Sequence, residues 1–246
     1  AVEDGAIIEY SYELQVSALT YMHNWSFQES VPTLLTRFTL NNPSQLDVNY
    51  RTYEIDIEPE INDAPEGFNS SYTWEARNMP AVESEVGMPP ASDVVARLAL
   101  APIGVESWDD VASWYHELIT PRMQADQRLN SLAEELTADA ENDYEKMEAL
   151  FAWVRDQVRY IAVSIGIGGY QPHHVDDIFR NQYGDCKDMV TLLVTMANEI
   201  GIEAYQALTS TFQNGVPDTT LPSPYHFNHV IAYAPNVGET GVWMDP

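Results

Sequence analysis

The sequence predicts an α+β chain in two parts, an antiparallel, β-sandwich-like part over residues 1–104 and a mixed helical and β part over residues 105–246. Three observations predict it. Alternating apolar and polar residues, broken by turn clusters, fill the first part. From Ser107 onward the apolar period lengthens to helical spacing. After Gly201, short strand-like runs return.

In the first part, runs at 6–14, 34–40, 48–57, 71–76 and 96–102 read as strands. The clusters N-N-P-S, I-N-D-A-P-E-G and G-M-P-P-A-S supply the turns between them. In the second part, Ser107 caps a helix with Val111, Trp114, Tyr115 and Leu118 on one face, and Pro121 ends it. Helices follow over 126–138, through Leu129, Leu132, Ala133 and Leu136, and over 143–158, through Met147, Leu150, Phe151, Val154 and Val158. Gly166–Gly169 reads as a flexible loop. A helix over 186–200 carries the apolar stripe Met189, Val190, Leu193, Met196, Ala197 and Ile200, with Gly201 as its C′ residue. Strands are expected at 202–210, 228–234 and 242–245, with a turn-rich loop over 213–225 joining the first two.

Composition excludes several function classes. The net charge of −27 opposes nucleic acid or an anionic membrane surface as a main partner. No apolar run reaches 18 residues, so no membrane insertion of this fragment is expected. A single cysteine excludes an internal disulfide, a multi-cysteine zinc site and a C-x-x-C redox pair. The start, A-V-E-D-G-A-I-I-E-Y, has no signal-peptide pattern, and the end, W-M-D-P, follows a strand-like run directly. Both ends therefore read as cuts in a longer protein.

That cysteine, Cys186, stands in Y-G-D-C-K-D, where a turn gives way to the last helix. Unpaired N–H groups and the positive end of the helix dipole both favour a thiolate there, so its pKa is expected to fall. Asp185 is the expected N-cap, with Asp188 three residues on as in a capping box. The two aspartates oppose Lys187, so activation calls for a histidine. His229, in F-N-H-V-I-A, enters an apolar strand, and Asp245, in W-M-D-P, ends the next; neighbouring antiparallel strands would bring the two together. Taken singly, each residue has a plainer reading: Cys186 as a small buried apolar residue, His229 as a structural histidine, Asp245 as part of a turn.

The pair His173-His174, followed by Asp176 and Asp177, matches no recognised ligand spacing and reads as a solvated loop or helix start. No D-x-D-x-D-G calcium loop is present, and no metal or cofactor is assigned.

The ordered set Y-G-D-C-K-D, F-N-H-V-I-A and W-M-D-P, with G-I-G-G-Y-Q-P-H before it, resembles the bacterial transglutaminase-like domain over about residues 107–246. The resemblance implies a transglutaminase- or papain-like α+β fold and a Cys–His–Asp triad, with Cys186 as nucleophile, His229 as base and then acid, and Asp245 as orienter. The runs G-A-I-I-E-Y-S-Y-E, W-S-F-Q-E-S-V-P and W-E-A-R-N-M-P-A are similar to the β-rich domain of unknown function that often precedes such enzymes in secreted bacterial proteins. That domain usually begins further upstream. Acyl transfer also needs an oxyanion donor. The Cys186 N–H is the first candidate and Gln171, in the Y-Q-P turn, the second; Tyr160 is the alternative to Gln171, because aromatic donors serve this role in relatives.

The leading expectation is thiol-dependent acyl transfer or hydrolysis at amide bonds of a peptide or protein, leaning toward protease or amidase chemistry over cross-linking. The alternative is a non-catalytic scaffold that keeps the fold and binds a peptide or protein partner. Resemblance implies a periplasmic or secreted setting. The substrate, the acceptor and the oligomeric state stay open.

Overall fold

The computed structural model describes residues 3, 5–15, 24–162 and 166–246. Its first part holds β1 (Trp25–Ser26), β2 (Thr33–Asn42), β3 (Tyr50–Tyr53), β4 (Glu60–Asn62), β5 (Ser70–Met79) and β6 (Arg97–Leu100). They form two antiparallel three-stranded sheets, ordered β1-β6-β3 and β2-β5-β4. Phe27, Tyr72, Trp74, Ala76, Leu98 and Leu100 make one buried core between them. Trp74 is fully buried, with Tyr50 edge-on at 5.1 Å and Phe38 and Tyr72 at 6.0 Å. Large rings at two alternate positions of β5, Tyr72 and Trp74, with Ala76 next on the same face, suit a half-buried strand.

The second part holds α1 (Trp108–Ile119), α2 (Gln127–Leu136), α3 (Asp143–Gln157), β7 (Arg159–Tyr160), α4 (Val175–Asn181), β8 (Tyr183–Gly184), α5 (Cys186–Glu199), β9 (Tyr205–Thr209), β10 (His229–Ala234) and β11 (Val242–Met244). Ser107 and Asp110 close a capping box on α1, and Asp126 and Asn142 cap α2 and α3. Gly201 follows α5 with φ +82°, which glycine adopts without strain. Strands β11, β10 and β9 form an antiparallel sheet in that order, and α5 lies between this sheet and helices α2, α3 and α4.

The expected apolar stripe on α5 is too narrow. Lys187 through Ala197 are all buried, because the sheet covers one side of the helix and helices cover the other. Residues 6–15 form no strand: they are extended and exposed, without a ladder partner among the described residues. Gly166–Gly169 is a 3₁₀ turn rather than a loose loop, with Tyr170 N and Gln171 N both donating to Ile167 O. Strand β4, helix α4 and the parallel pair β7–β8 were not legible in the pattern, being three, seven and two residues long.

The two parts are fastened by the arm between β9 and β10. The Tyr53 hydroxyl donates to Asp218 at 2.6 Å, and Arg51 stands 3.8 Å from the same carboxylate. Ser92 Oγ donates to Asn214 O, and within the second part the Trp108 indole N–H donates to Thr219 O, steadying the arm. Leu221 packs with Ala99 and Ala101. Gly215, at φ +81°, lies so close to Ser92 and Asp93 that a Cβ there would collide with both.

Partial burial raises the Asp218 carboxyl, but hydrogen bonds from Tyr53 and Thr220, with the Arg51 charge, outweigh it and hold the group at about 2. Partial burial, then Asp218, pushes the Tyr53 phenol up to about 12. A depressed acid stabilises the fold above its unfolded value and loses that contribution on acidification. A raised phenol stabilises it below its unfolded value and loses that contribution as pH climbs. The contact is therefore expected to be at full strength between about pH 4 and about pH 10. Thermal midpoints of the wild type should fall faster than those of Asp218→Asn as pH drops from about 4 toward 2. Parallel acid limbs would refute the linkage.

Candidate active site

Helix α5 starts at Cys186 because the residues before it are held from behind. Asp188, one turn in and 1% exposed, accepts the Asp185 N–H at 3.2 Å and the His173 N–H at 2.8 Å. Its second oxygen also meets the His173 ring Nδ1 at 3.1 Å. Gly184 passes so near this carboxylate that a Cβ would sit 2.8 Å from Oδ2 and overlap the rest of the side chain. A second brace comes from the other side. Tyr115 donates to Gln206, Gln206 donates to Thr191 Oγ1 at 2.9 Å, and Thr191 donates to Lys187 O at 2.6 Å. Neither brace was apparent in the sequence; only the capping role of Asp188 was.

Two strands, β7 and β10, reach Cys186. Parallel pairing of β7 with β8 sets Tyr160 opposite Gly184, with Ile161 N bonded to Gly184 O at 2.8 Å. The Tyr160 phenol then lies within hydrogen-bonding reach of both the thiol and the backbone N–H of Cys186. From β10, the Val230 N–H is within reach of the thiol. Next to Val230, His229 turns Nε2 to Asp245, at 2.9 and 3.0 Å from its two oxygens. Asp245 follows β11, which pairs antiparallel with β10 through Ala232↔Met244.

Gln171 takes a different place. Its amide oxygen accepts from Arg122 at 2.9 Å and its amide N–H donates to Leu118 O at 3.4 Å. The structure thus brings Tyr160, not Gln171, to Cys186. His173 contacts the helix start through Asp188, while His174 is the N-cap of α4, its Nδ1 accepting from Asp176 N.

Residues 130–234 match the family model of the transglutaminase-like superfamily, and residues 1–83 match that of the domain of unknown function DUF3857. The chain carries a transglutaminase-like domain behind a DUF3857 region. A candidate protease from Parabacteroides distasonis shares the fold at TM-score 0.73 and 19% identity, over 90% of this chain and 42% of that one. The chain thus spans less than half of that neighbour. A candidate cysteine protease from Cytophaga hutchinsonii aligns at TM-score 0.39 and 17% identity, over 90% of this chain and 73% of that one. The periplasmic domain of TgpA from Pseudomonas aeruginosa aligns at TM-score 0.34 and 14% identity, over 92% and 75%. No curated protein matches the chain.

The electrostatics of the transglutaminase-like domain reverse one expectation. The Cys186 thiol is pushed up rather than down. Burial is the first cause and the Asp185 charge the second; the N–H groups of Val230 and Lys187 and the Lys187 charge act against them without prevailing. The reason lies in the pair beneath the thiol. Lys187 and Asp185 are almost fully buried and joined at 2.5 Å, so the ammonium is neutralised locally. Asp185 Oδ1 is buried with no hydrogen-bond partner among the described residues, and its charge stays close to the sulfur. Burial, followed by the charges of Cys186 and Asp185, also raises the Tyr160 phenol.

In the resting protein, iodoacetamide alkylation of Cys186 is expected to reach half its maximal rate above about pH 8.5, the ordinary thiol value. A half-maximal rate near pH 7 or below would contradict this balance of burial and charge. Gly184→Ala should displace the Asp188 carboxylate and cost about 1–3 kcal/mol of stability, measured by denaturant unfolding.

Proposed function

We propose that the chain catalyses thiol-dependent acyl transfer at amide bonds, with hydrolysis of a peptide or protein amide as the main outcome. The observation that carries this reading is the 2.9 Å His229–Asp245 pair, next to the residue whose N–H faces the Cys186 thiol. Because Asp245 takes Nε2, Nδ1 is the nitrogen left for the thiol. A thiol held neutral by burial needs a general base at the moment of attack, and His229 fills that role.

In the proposed reaction His229 Nδ1 takes the Sγ–H proton as sulfur bonds to the carbonyl carbon. The oxyanion is stabilised by the Cys186 N–H and the Tyr160 hydroxyl, which already lie within reach of each other beside the thiol. Collapse breaks the C–N bond, and the amine leaves with the proton from His229. Water, deprotonated by His229, then attacks the thioester, and sulfur leaves and is reprotonated. Asp245 stabilises the imidazolium and fixes its orientation. Water is favoured over an amine as acceptor because the site opens to solvent, with Tyr160 56% exposed and the Asp245 side chain 61% exposed. The protease description of the Parabacteroides distasonis neighbour points the same way.

The same proposal divides the chain near residue 104, with the DUF3857 region ahead of the catalytic domain, and places it in the periplasm or outside the cell. A non-catalytic scaffold is the competing reading, and one substitution separates them. Cys186→Ala should abolish turnover in a peptide-cleavage assay and leave peptide binding intact; turnover that survives would sink the catalytic assignment. Asp245→Asn should lower kcat by about 10²- to 10⁴-fold, and Tyr160→Phe by about 10²-fold with KM little changed. A Tyr160→Phe loss confined to KM would remove it from the oxyanion site.

A further inference from the structure

Cations are scarce in this chain, 11 Lys and Arg against 38 Asp and Glu, and most are paired. Eight of them stand within 4 Å of a carboxylate. Among the described residues, Arg97, Arg122 and Arg159 do not. Arg97 lies over the Tyr53 ring and donates to Ser92 O, and Arg159 is exposed. Arg122 is different. It is half-buried, its one polar partner is the neutral amide oxygen of Gln171, and it lines a pocket of about 300 Å³.

The pocket is completed by Gly168, Gln171, Pro172, His173, His174 and Asp177. Its one acidic wall residue, Asp177, is engaged by Arg180, and His174 is turned to Asp176. His173 gives Nδ1 to Asp188 and keeps Nε2 clear of that contact, with 62% of its side chain exposed. The pocket is linked to the start of the helix that bears the proposed nucleophile, since His173 and the Asp185 N–H share the Asp188 carboxylate. Its volume suits one amino-acid side chain or chain end.

A guanidinium presents a planar fork that matches a carboxylate, and one left unpaired amid so many acids is a binding group without its ligand. Gln171 orients it through a neutral oxygen: it fixes the fork without cancelling its charge. We infer that this pocket receives a carboxylate of the substrate on Arg122, either an acidic side chain or a free chain end, and so directs cleavage to amide bonds near that group. The inference rests on the proposed function for its consequence, but the pocket can be tested without turnover.

The first test is binding to the Cys186→Ala protein by calorimetry, with N-acetyl-glutamate α-amide, N-acetyl-alanine and the uncharged N-acetyl-glutamine α-amide as probes. At least one acid should bind about 10-fold or more tighter than the amide, and which acid does so identifies the source of the carboxylate. Arg122→Gln should bring acid and amide to within about 2-fold of each other, and Gln171→Glu, which supplies an internal carboxylate, should do the same. In the wild-type protein, peptides offering the preferred carboxylate should show the lower KM. Equal binding of acids and amide by the protein with Arg122 intact would overturn the inference, whatever the variants do. Acid-selective binding without any turnover would keep the pocket and discard the catalytic reading.

Discussion

The placement of Asp188 is the constraint on which the site depends. A carboxylate 1% exposed must be saturated with donors, and this one takes the Asp185 N–H, the His173 N–H and the His173 ring. Those bonds fix where α5 begins, pull the segment before α4 against it and leave no room for a Cβ at Gly184. With Gly184 fixed, the β7–β8 pairing has one register, and Tyr160 has one place to go. The thiol, the phenol and the pocket histidine are thereby set by a single buried acid.

That arrangement has an electrostatic consequence. A helix start should favour a thiolate, worth up to about 2 kcal/mol in favourable partly buried geometries. Burial and the Asp185 charge oppose it here and win. The Lys187–Asp185 pair is a strong anchor for the first turn because separating its members would leave one charge buried alone. Its cost is a thiol kept neutral at rest. Under the proposed function, reactivity would then depend on His229 and on a substrate that displaces water.

The β-rich part bears on the same chemistry through the arm that precedes His229. Asp218, Asn214 and Leu221 are held by Tyr53, Ser92 and the end of β6. At the base of the arm, Asn228 is bonded to Thr211 and His229 pairs with Thr209, so the arm closes where β10 begins. The segment leading into β10 is thereby tied to the first part of the chain.

By itself the sequence determined the α+β class, the order of the main helices and strands, and the cap at Ser107, because these follow from local period and local hydrogen bonding. It also singled out Cys186, His229 and Asp245, as scarce chemistry at element ends. It could not separate Gln171 from Tyr160. Their difference lies in a two-residue parallel pairing between positions 24 residues apart, which leaves no periodic trace. Nor could it show the direction of the thiol shift, which depends on burial and on Lys187 pairing inward with Asp185 rather than outward with the sulfur. The expected strand at 6–14 failed for a related reason: alternation states a preference, and only a neighbouring strand can satisfy it. What tertiary structure decided, in each case, was the partner, because hydrogen bonds and desolvation act between residues that sequence distance keeps apart.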